Sequence, residues 1–141
     1  MKSDAENLSY DAILIGKVYS FERTITRQDV VAFSDLTGDR NPLHMDEKFG
    51  RESEFGRNIV HGMLVGSLFS TLVGMYCPGE KCLYMGQTLQ FKLPLYLNDH
   101  IEIRGTVMRK SDAIKMIKLK TEILRAGQAI ITGEAKVKVM D

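Results

Sequence analysis

Two titratable side chains, Asp39 and His44, lie five residues apart in the stretch TGDRNPLHMD, on either side of an Asn-Pro step. A carboxylate and an imidazole at a set separation can grip one water, take a proton from it and pass a proton on. Such positioned acid-base work is worth roughly 10²–10⁴-fold in rate. The Asn41-Pro42 step stiffens the loop, because a residue before proline is confined to extended backbone. Taken alone, an Asp-x₄-His pair more often means a turn-capping aspartate and a solvated histidine. The stretch IVHGMLVGSLFS, Ile59 to Ser70, tips the reading toward chemistry. It sets a glycine at the start of a helix, where a backbone N–H stands at the positive end of the dipole.

The elements that must hold these groups can be read from pattern. Residues 13–25 are β-rich, and Thr26 with Asp29 three residues on resembles a capping box. A helix then runs through DVVAFSDL, with Val30, Phe33 and Leu36 at helical spacing, and Gly38 is placed to end it. The Asp39–His44 loop follows at once. EKFGRESEFGRN comes next, polar except for Phe49 and Phe55 as expected anchors.

From Asn58 to Gly79 there is no Asp, Glu, Lys or Arg, long enough to suggest a membrane span. His61, repeated glycines and serines, and the lack of flanking basic clusters favour a helix buried in protein. Gly62, Gly66, Ser70 and Gly74 recur every four residues and line one helical stripe. An interior glycine costs roughly 1 kcal/mol relative to alanine, so a backbone or ligand is expected to approach there closely. Leu64, Leu68, Phe69, Leu72 and Val73 make the other faces apolar.

Beyond CPGEKC the period becomes two. LQFKLPL, HIEIRGTVMR, IKLKTEI and GEAKVKV each alternate apolar with polar or charged residues. They predict an antiparallel sheet with one wet face. A single α+β domain over 1–141 follows, a curved sheet wrapping one central helix, with residues 1–12 as a loosely ordered N-terminal segment.

A net charge of +1, with Lys and Arg scattered, excludes the usual nucleic-acid binder. The first twelve residues lack the apolar stretch of a signal peptide. Cys77 and Cys82 are then expected as reduced thiols in a cytoplasmic chain, with no membrane partner. Asp39, His44, Asp46, His61 and His100 include no helical two-histidine motif, so no metal is expected.

TGDRNPLHMD, then IVHGMLVGSLFS, then YMGQTLQFKLPL, in that order, resemble the MaoC-type, R-specific enoyl-CoA hydratases of hot-dog fold. The resemblance spans roughly Phe33 to Val139. It implies reversible addition of water to a trans-2-enoyl-CoA, giving an R-3-hydroxyacyl-CoA, in a homodimer whose two helices share one continuous sheet. Three positions depart from the common pattern: Glu47 where proline is frequent, Gly50 where alanine is, and Asn58 where proline often precedes IVHG. They bear on the stiffness of the loop and leave the reacting groups untouched.

That reaction needs a base for water, a proton for C2 and a donor for the enolate oxygen. Asp39 is expected as base and His44 as the partner that orients water and shuttles the proton, with the group that handles the C2 proton left open. Gly62, lacking a side chain, lets the thioester oxygen reach its N–H as an oxyanion hole. Ser70, Asn41 and Val73 are expected along the substrate, Asp46 as a cap, and His61 as a packing or hydrogen-bonding residue. Lys92, Arg57 and Arg109 are candidates for the coenzyme phosphates. No cofactor is expected, coenzyme A being part of the substrate. Two other readings keep the fold: a dehydratase of acyl-carrier-protein thioesters, and a non-catalytic acyl-CoA-binding protein. Keeping both Asp39 and His44 argues against the last, since binding alone needs neither.

Overall fold

In the computed structural model, which describes residues 1–141, six strands form one antiparallel sheet. They are β1 (Val18–Thr24), β2 (Cys82–Gln87), β3 (Gln90–Phe91), β4 (His100–Ser111), β5 (Met116–Arg125) and β6 (Gln128–Val139). The order is β1-β4-β5-β6-β2, with β3 also on β6. The period-two pattern is realised on the long strands. Ile101, Ile103, Val107, Ile117, Leu119, Ile123, Ala135, Val137 and Val139 are fully buried, while Lys120, Glu134, Lys136 and Lys138 face water.

The edge strands differ from expectation. The segment 89–95 is a strand only at β3, because the amides of Lys92 and Leu93 both turn to the Ile130 carbonyl and Pro94 has no amide to give. β2 carried no sequence signal. Leu83 and Met85 are exposed and apolar while Cys82 and Tyr84 lie on the other face, so polarity does not alternate.

Helix α1 (Arg27–Thr37) opens with the expected reciprocal cap: the Thr26 hydroxyl accepts from the Asp29 amide, and Asp29 accepts from the Thr26 amide. That backbone bond holds the Asp29 carboxyl below its usual range. Gly38 ends the helix at φ 80°, a left-handed conformation glycine adopts without strain. The buried side of α1 carries Val30 and Ser34, and Leu36 points out to solvent. Short helices α2 (Pro42–Met45) and α3 (Glu47–Glu52) follow, with Phe49 half-exposed rather than anchored.

The uncharged segment becomes α4 (Gly62–Gly66), α5 (Leu68–Thr71) and a π-helical turn (Leu72–Tyr76), one helical run against the sheet. None of the helices is long and apolar enough to cross a membrane. Two apolar clusters flank this run. The first joins Val65, Leu68, Phe69 and Leu72 to Ile25, Val30, Ile101, Ile103 and Ile131. The second joins Val73 and Cys77 to Tyr10, Ile13, Val107, Ile117 and Val137. Tyr10 belongs to that second cluster and Leu8 packs against it, so part of the segment expected as loosely ordered is tied to the core. The Glu6 amide bonds Met75, the Leu8 amide bonds Pro78, and the buried Tyr10 gives its hydroxyl to Asp112 at 2.7 Å. Gly79 permits this approach, since a side chain there would run into the Glu6 carbonyl.

Candidate active site

The loop after α1 builds itself from local bonds. The Asp39 amide bonds the Thr37 hydroxyl at 3.2 Å, and the Asp39 carboxylate accepts from the Asn41 amide at 3.2 Å. Asn41 then caps α2, accepting from the Leu43 amide at 3.0 Å, with Pro42 at the first helical position where its missing N–H costs nothing. His44 follows on that single turn. Asp46 caps α3 through the Phe49 amide, as expected.

Two side chains clamp the turn from outside. Arg27 donates to the carbonyls of Met45 at 2.8 Å and His44 at 3.3 Å. Asn58, buried, donates to the carbonyls of Asp46 at 2.8 Å and Leu43 at 2.9 Å. Neither was expected from sequence. Asn58 supplies the stiffness that its departure from the family pattern had put in question. Gly50 completes the arrangement, since a Cβ there would stand 2.6 Å from the Asn58 amide nitrogen.

His44 Nδ1 lies 2.8 Å from the Ile59 carbonyl. A carbonyl only accepts, so Nδ1 carries the hydrogen, and in the neutral ring Nε2 then holds the lone pair. His61 Nε2 likewise donates to the Asp39 carbonyl at 3.0 Å, and the His44 and His61 ring centres are 4.0 Å apart. One side-chain nitrogen or oxygen from each of Asp39, His44 and His61 lies within 4.8 Å of the others. The pair expected from sequence is therefore brought together, Asp39 exposed and His44 half-buried, with the buried His61 beside them. A divalent cation could span such a spacing. His61, however, could offer only Nδ1, which solvent does not reach.

Gly62 is the first residue of α4, so its amide has no acceptor within the helix. A Cβ at Gly62 would lie 2.8 Å from the Phe91 ring, and one at Gly66 3.2 Å from Leu89. Part of the small stripe thus admits the chain's own edge segment. Of the four small residues in the stripe, Gly62 is the one that borders a cavity.

His44 and Gly62 border one cavity of about 460 Å³, walled by Phe55, Ile59, Val60, Met63, Val65, Phe91, Leu93, Leu95, Ile130 and Ile131, with Lys92 on its wall. It is an apolar chamber with a few convergent polar groups, the form of a small-molecule site. Ser70 is exposed on α5 and Asn41 serves as a cap; neither lines it. Val73 is a core residue, fully buried against the second cluster, which corrects its placement along the substrate. Among the candidate cations, Lys92 is at the cavity, Arg57 stacks on Tyr96 at 3.6 Å, and Arg109 lies opposite Lys118 on β5. Burial pushes the Cys77 thiol up to about 12, so it is no nucleophile.

A curved antiparallel sheet around a helical run defines a hot-dog fold, here with Asp39 and His44 close to His61 at the start of α4. A family model described as a MaoC like domain matches residues 12–128, and the chain belongs to that family. It is similar to an (R)-specific enoyl-CoA hydratase of Aeromonas caviae, 39% identical over 94% of this chain and 99% of that protein. The solved structure of the R-hydratase PhaJ1 from Pseudomonas aeruginosa superposes with a TM-score of 0.92 at 30% identity, covering 97% of this chain and 88% of that one. A mitochondrial 3-hydroxyacyl-[acyl-carrier-protein] dehydratase of Solanum lycopersicum is 38% identical, over 93% of this chain and 80% of that protein.

Proposed function

We propose that this chain is an (R)-specific enoyl-CoA hydratase, a hydro-lyase that adds water reversibly to a trans-2-enoyl-CoA. The observation that carries the mechanism is the His44 ring, its Nδ1 tied to the Ile59 carbonyl, within 4.8 Å of the Asp39 carboxylate and on the wall of a cavity that also reaches Gly62. Both groups accept hydrogen bonds, so together they hold one water by its two hydrogens. As its oxygen bonds C3, the water gives up a proton to one of them, and a proton passes from this pair to C2. The C2–C3 double bond becomes single, and the product carries the water's hydroxyl on C3 and a hydrogen on C2. Charge that gathers on the thioester oxygen in between meets the Gly62 amide, a donor worth roughly 3–4 kcal/mol in comparable sites. This chemistry uses side chains and backbone alone and calls on no cofactor.

The acyl chain takes the apolar walls around Phe55, Met63 and Ile131, and Lys92 faces the charged end of coenzyme A. We place the enzyme in the cytoplasm, whose reducing conditions suit the free thiols Cys77 and Cys82. We also propose a homodimer. β2 ends the sheet with an open edge carrying the exposed Leu83 and Met85, and Met63 and Met75 are exposed on the helical run. Sedimentation should show a dimer at micromolar concentration, and a stable monomer would refute it.

The testing experiment is hydration of crotonyl-CoA in deuterated water, with the product read by enantiospecific dehydrogenases. One water held on one face predicts the R alcohol formed by syn addition. An S product overturns the function. An R product by anti addition overturns the single-water mechanism. A carrier-protein thioester hydrated faster than crotonyl-CoA would move the assignment to the dehydratase reading.

A further inference from the structure

We infer that His61 is a positioning residue, whose Nε2–H bond to the Asp39 carbonyl and whose ring against His44 set the spacing of the two proton-handling groups. The inference rests on the assignment of Asp39 and His44 proposed above.

His61 sits where the two halves of the site meet. Its backbone immediately precedes Gly62, and its carbonyl accepts from the Val65 amide at 3.2 Å, which fixes it to the start of α4. Its side chain reaches back 22 residues to the loop and ties the Asp39 carbonyl at 3.0 Å. The same ring packs on His44 at 4.0 Å and on Phe33 of α1 at 4.9 Å. Asp39 and His44 come from one loop and Gly62 from the start of α4, and His61 touches or adjoins all three.

The residue type is unusual for its surroundings. The ring is 2% exposed, and Nδ1 has no hydrogen-bond partner. Burying an unpaired acceptor is unfavourable, so packing alone would be served better by a phenylalanine or leucine. What a hydrocarbon cannot do is donate to Asp39. Protonation would add a second N–H with nothing to bond and a charge out of water. Burial therefore pushes the His61 pKa down, and the neighbouring His44 acts in the same direction. A neutral ring spaces the pair without competing with His44 for the Asp39 carboxylate.

The test compares two substitutions that divide the roles. His61→Gln keeps an N–H at a reach close to that of Nε2, and His61→Phe keeps the ring and loses the donor. His61→Phe should lower kcat for crotonyl-CoA by about tenfold to a hundredfold, as expected for misplaced groups, with KM within about twofold. His61→Gln should recover most of that loss. Wild-type kcat in His61→Phe, or equal losses in both folded variants, overturns the inference. If His61→Phe loses its cooperative melt, His61→Asn replaces it: its shorter amide cannot reach Asp39, so a wild-type rate there overturns the inference and a loss supports it. Asp39→Asn and His44→Ala are assayed beside them. Wild-type rates in those two would sink the site itself, whereas losses there with an unaffected His61→Phe sink only the tether.

Discussion

The helical run of residues 62–76 meets a cavity at its first residue and packs into closed core through Val73 and Cys77 toward its other end. At the opening, the buried His61 keeps an unpartnered nitrogen, Gly62 keeps an unused amide, and a cavity of about 460 Å³ reaches Gly62 and His44. At the other end, Val73 and Cys77 are fully buried among Ile13, Val107, Ile117 and Val137, with the Glu6 and Leu8 amides closing over the top. Polar groups left unsatisfied are costly in a fold, so their concentration at one end marks where structure is spent on chemistry. The sealed end supplies the stability that lets the open end stay unsatisfied.

The largest expected effect falls at the open end. Asp39→Asn and His44→Ala should each reduce turnover of crotonyl-CoA by at least about two orders of magnitude, the low end of acid-base contributions. Their melting should stay cooperative and near that of the parent, because both side chains reach the surface. A near-parental rate in either would break the comparison at its root. The sealed end should respond the other way. Val73→Ala removes two buried carbons, about 0.8 kcal/mol each, and leaves a cavity, so it should cost about 2 kcal/mol of stability with turnover of crotonyl-CoA within about twofold. A large change in KM without loss of stability would place Val73 at the substrate after all.

The sequence made the sealed architecture easier to read than the open one. The strands β4, β5 and β6 alternate over most of their length, and the Thr26 box and Gly38 stop are local, so each was visible in a window of a few residues. Asp39, His44 and Gly62 were visible because a proline step and a glycine at a helix start leave a local mark. The clamps were not visible. Arg27 and Asn58 act on backbone carbonyls 12 to 18 residues away, and a bond to a distant carbonyl leaves no spacing to detect. β2 was missed for a related reason, since apolar residues on both of its faces hide its period.

A smaller effect should come from the pair Gly50 and Asn58, which joins the loop to the segment before His61. A methyl at position 50 would stand 2.5 Å from the Asn58 backbone nitrogen and 2.6 Å from its side-chain nitrogen. Backbone cannot yield as a flexible side chain can. Gly50→Ala should therefore destabilise by at least about 1 kcal/mol, the low end of overpacking costs, and lower kcat by shifting the carbonyls that Asn58 holds. Asn58→Ala removes the side-chain nitrogen with its bonds and leaves the backbone contacts in place. In the double variant only the side-chain part of the clash should vanish, so the combined loss of stability should fall short of the sum by that part alone. Strict additivity would mean that the two residues act separately.

The smallest effect distinguishes the two ends by the direction in which each responds to pH. His61 has a folded pKa below the ordinary imidazole value near 6.5, because burial disfavours its charge. Below about 6.5 the unfolded chain takes up a proton that the folded chain refuses, so this contribution is complete above that value and falls away as the pH drops toward the folded pKa. Cys77 is the mirror case. Burial raises its thiol to about 12, whereas an unfolded cysteine titrates near 8.5. Above about 8.5 the unfolded chain releases a proton that the folded chain retains, so stability declines as the pH climbs toward the folded value. Asp29 does not confuse the acid limb, since its lowered carboxyl pKa acts only below the ordinary value near 3.9. Urea midpoints measured from pH 5 to pH 10 should then fall on both sides of neutrality. His61→Phe should flatten the acid limb and leave the alkaline limb alone, and Cys77→Ala should do the reverse, with a residual alkaline slope from Cys82 and, near pH 10, from Tyr10, Tyr19 and Tyr84, which burial also raises. If His61→Phe left the acid limb as steep as before, the ring would not be held neutral by its burial, and the open end would lose the property that separates it from the sealed one.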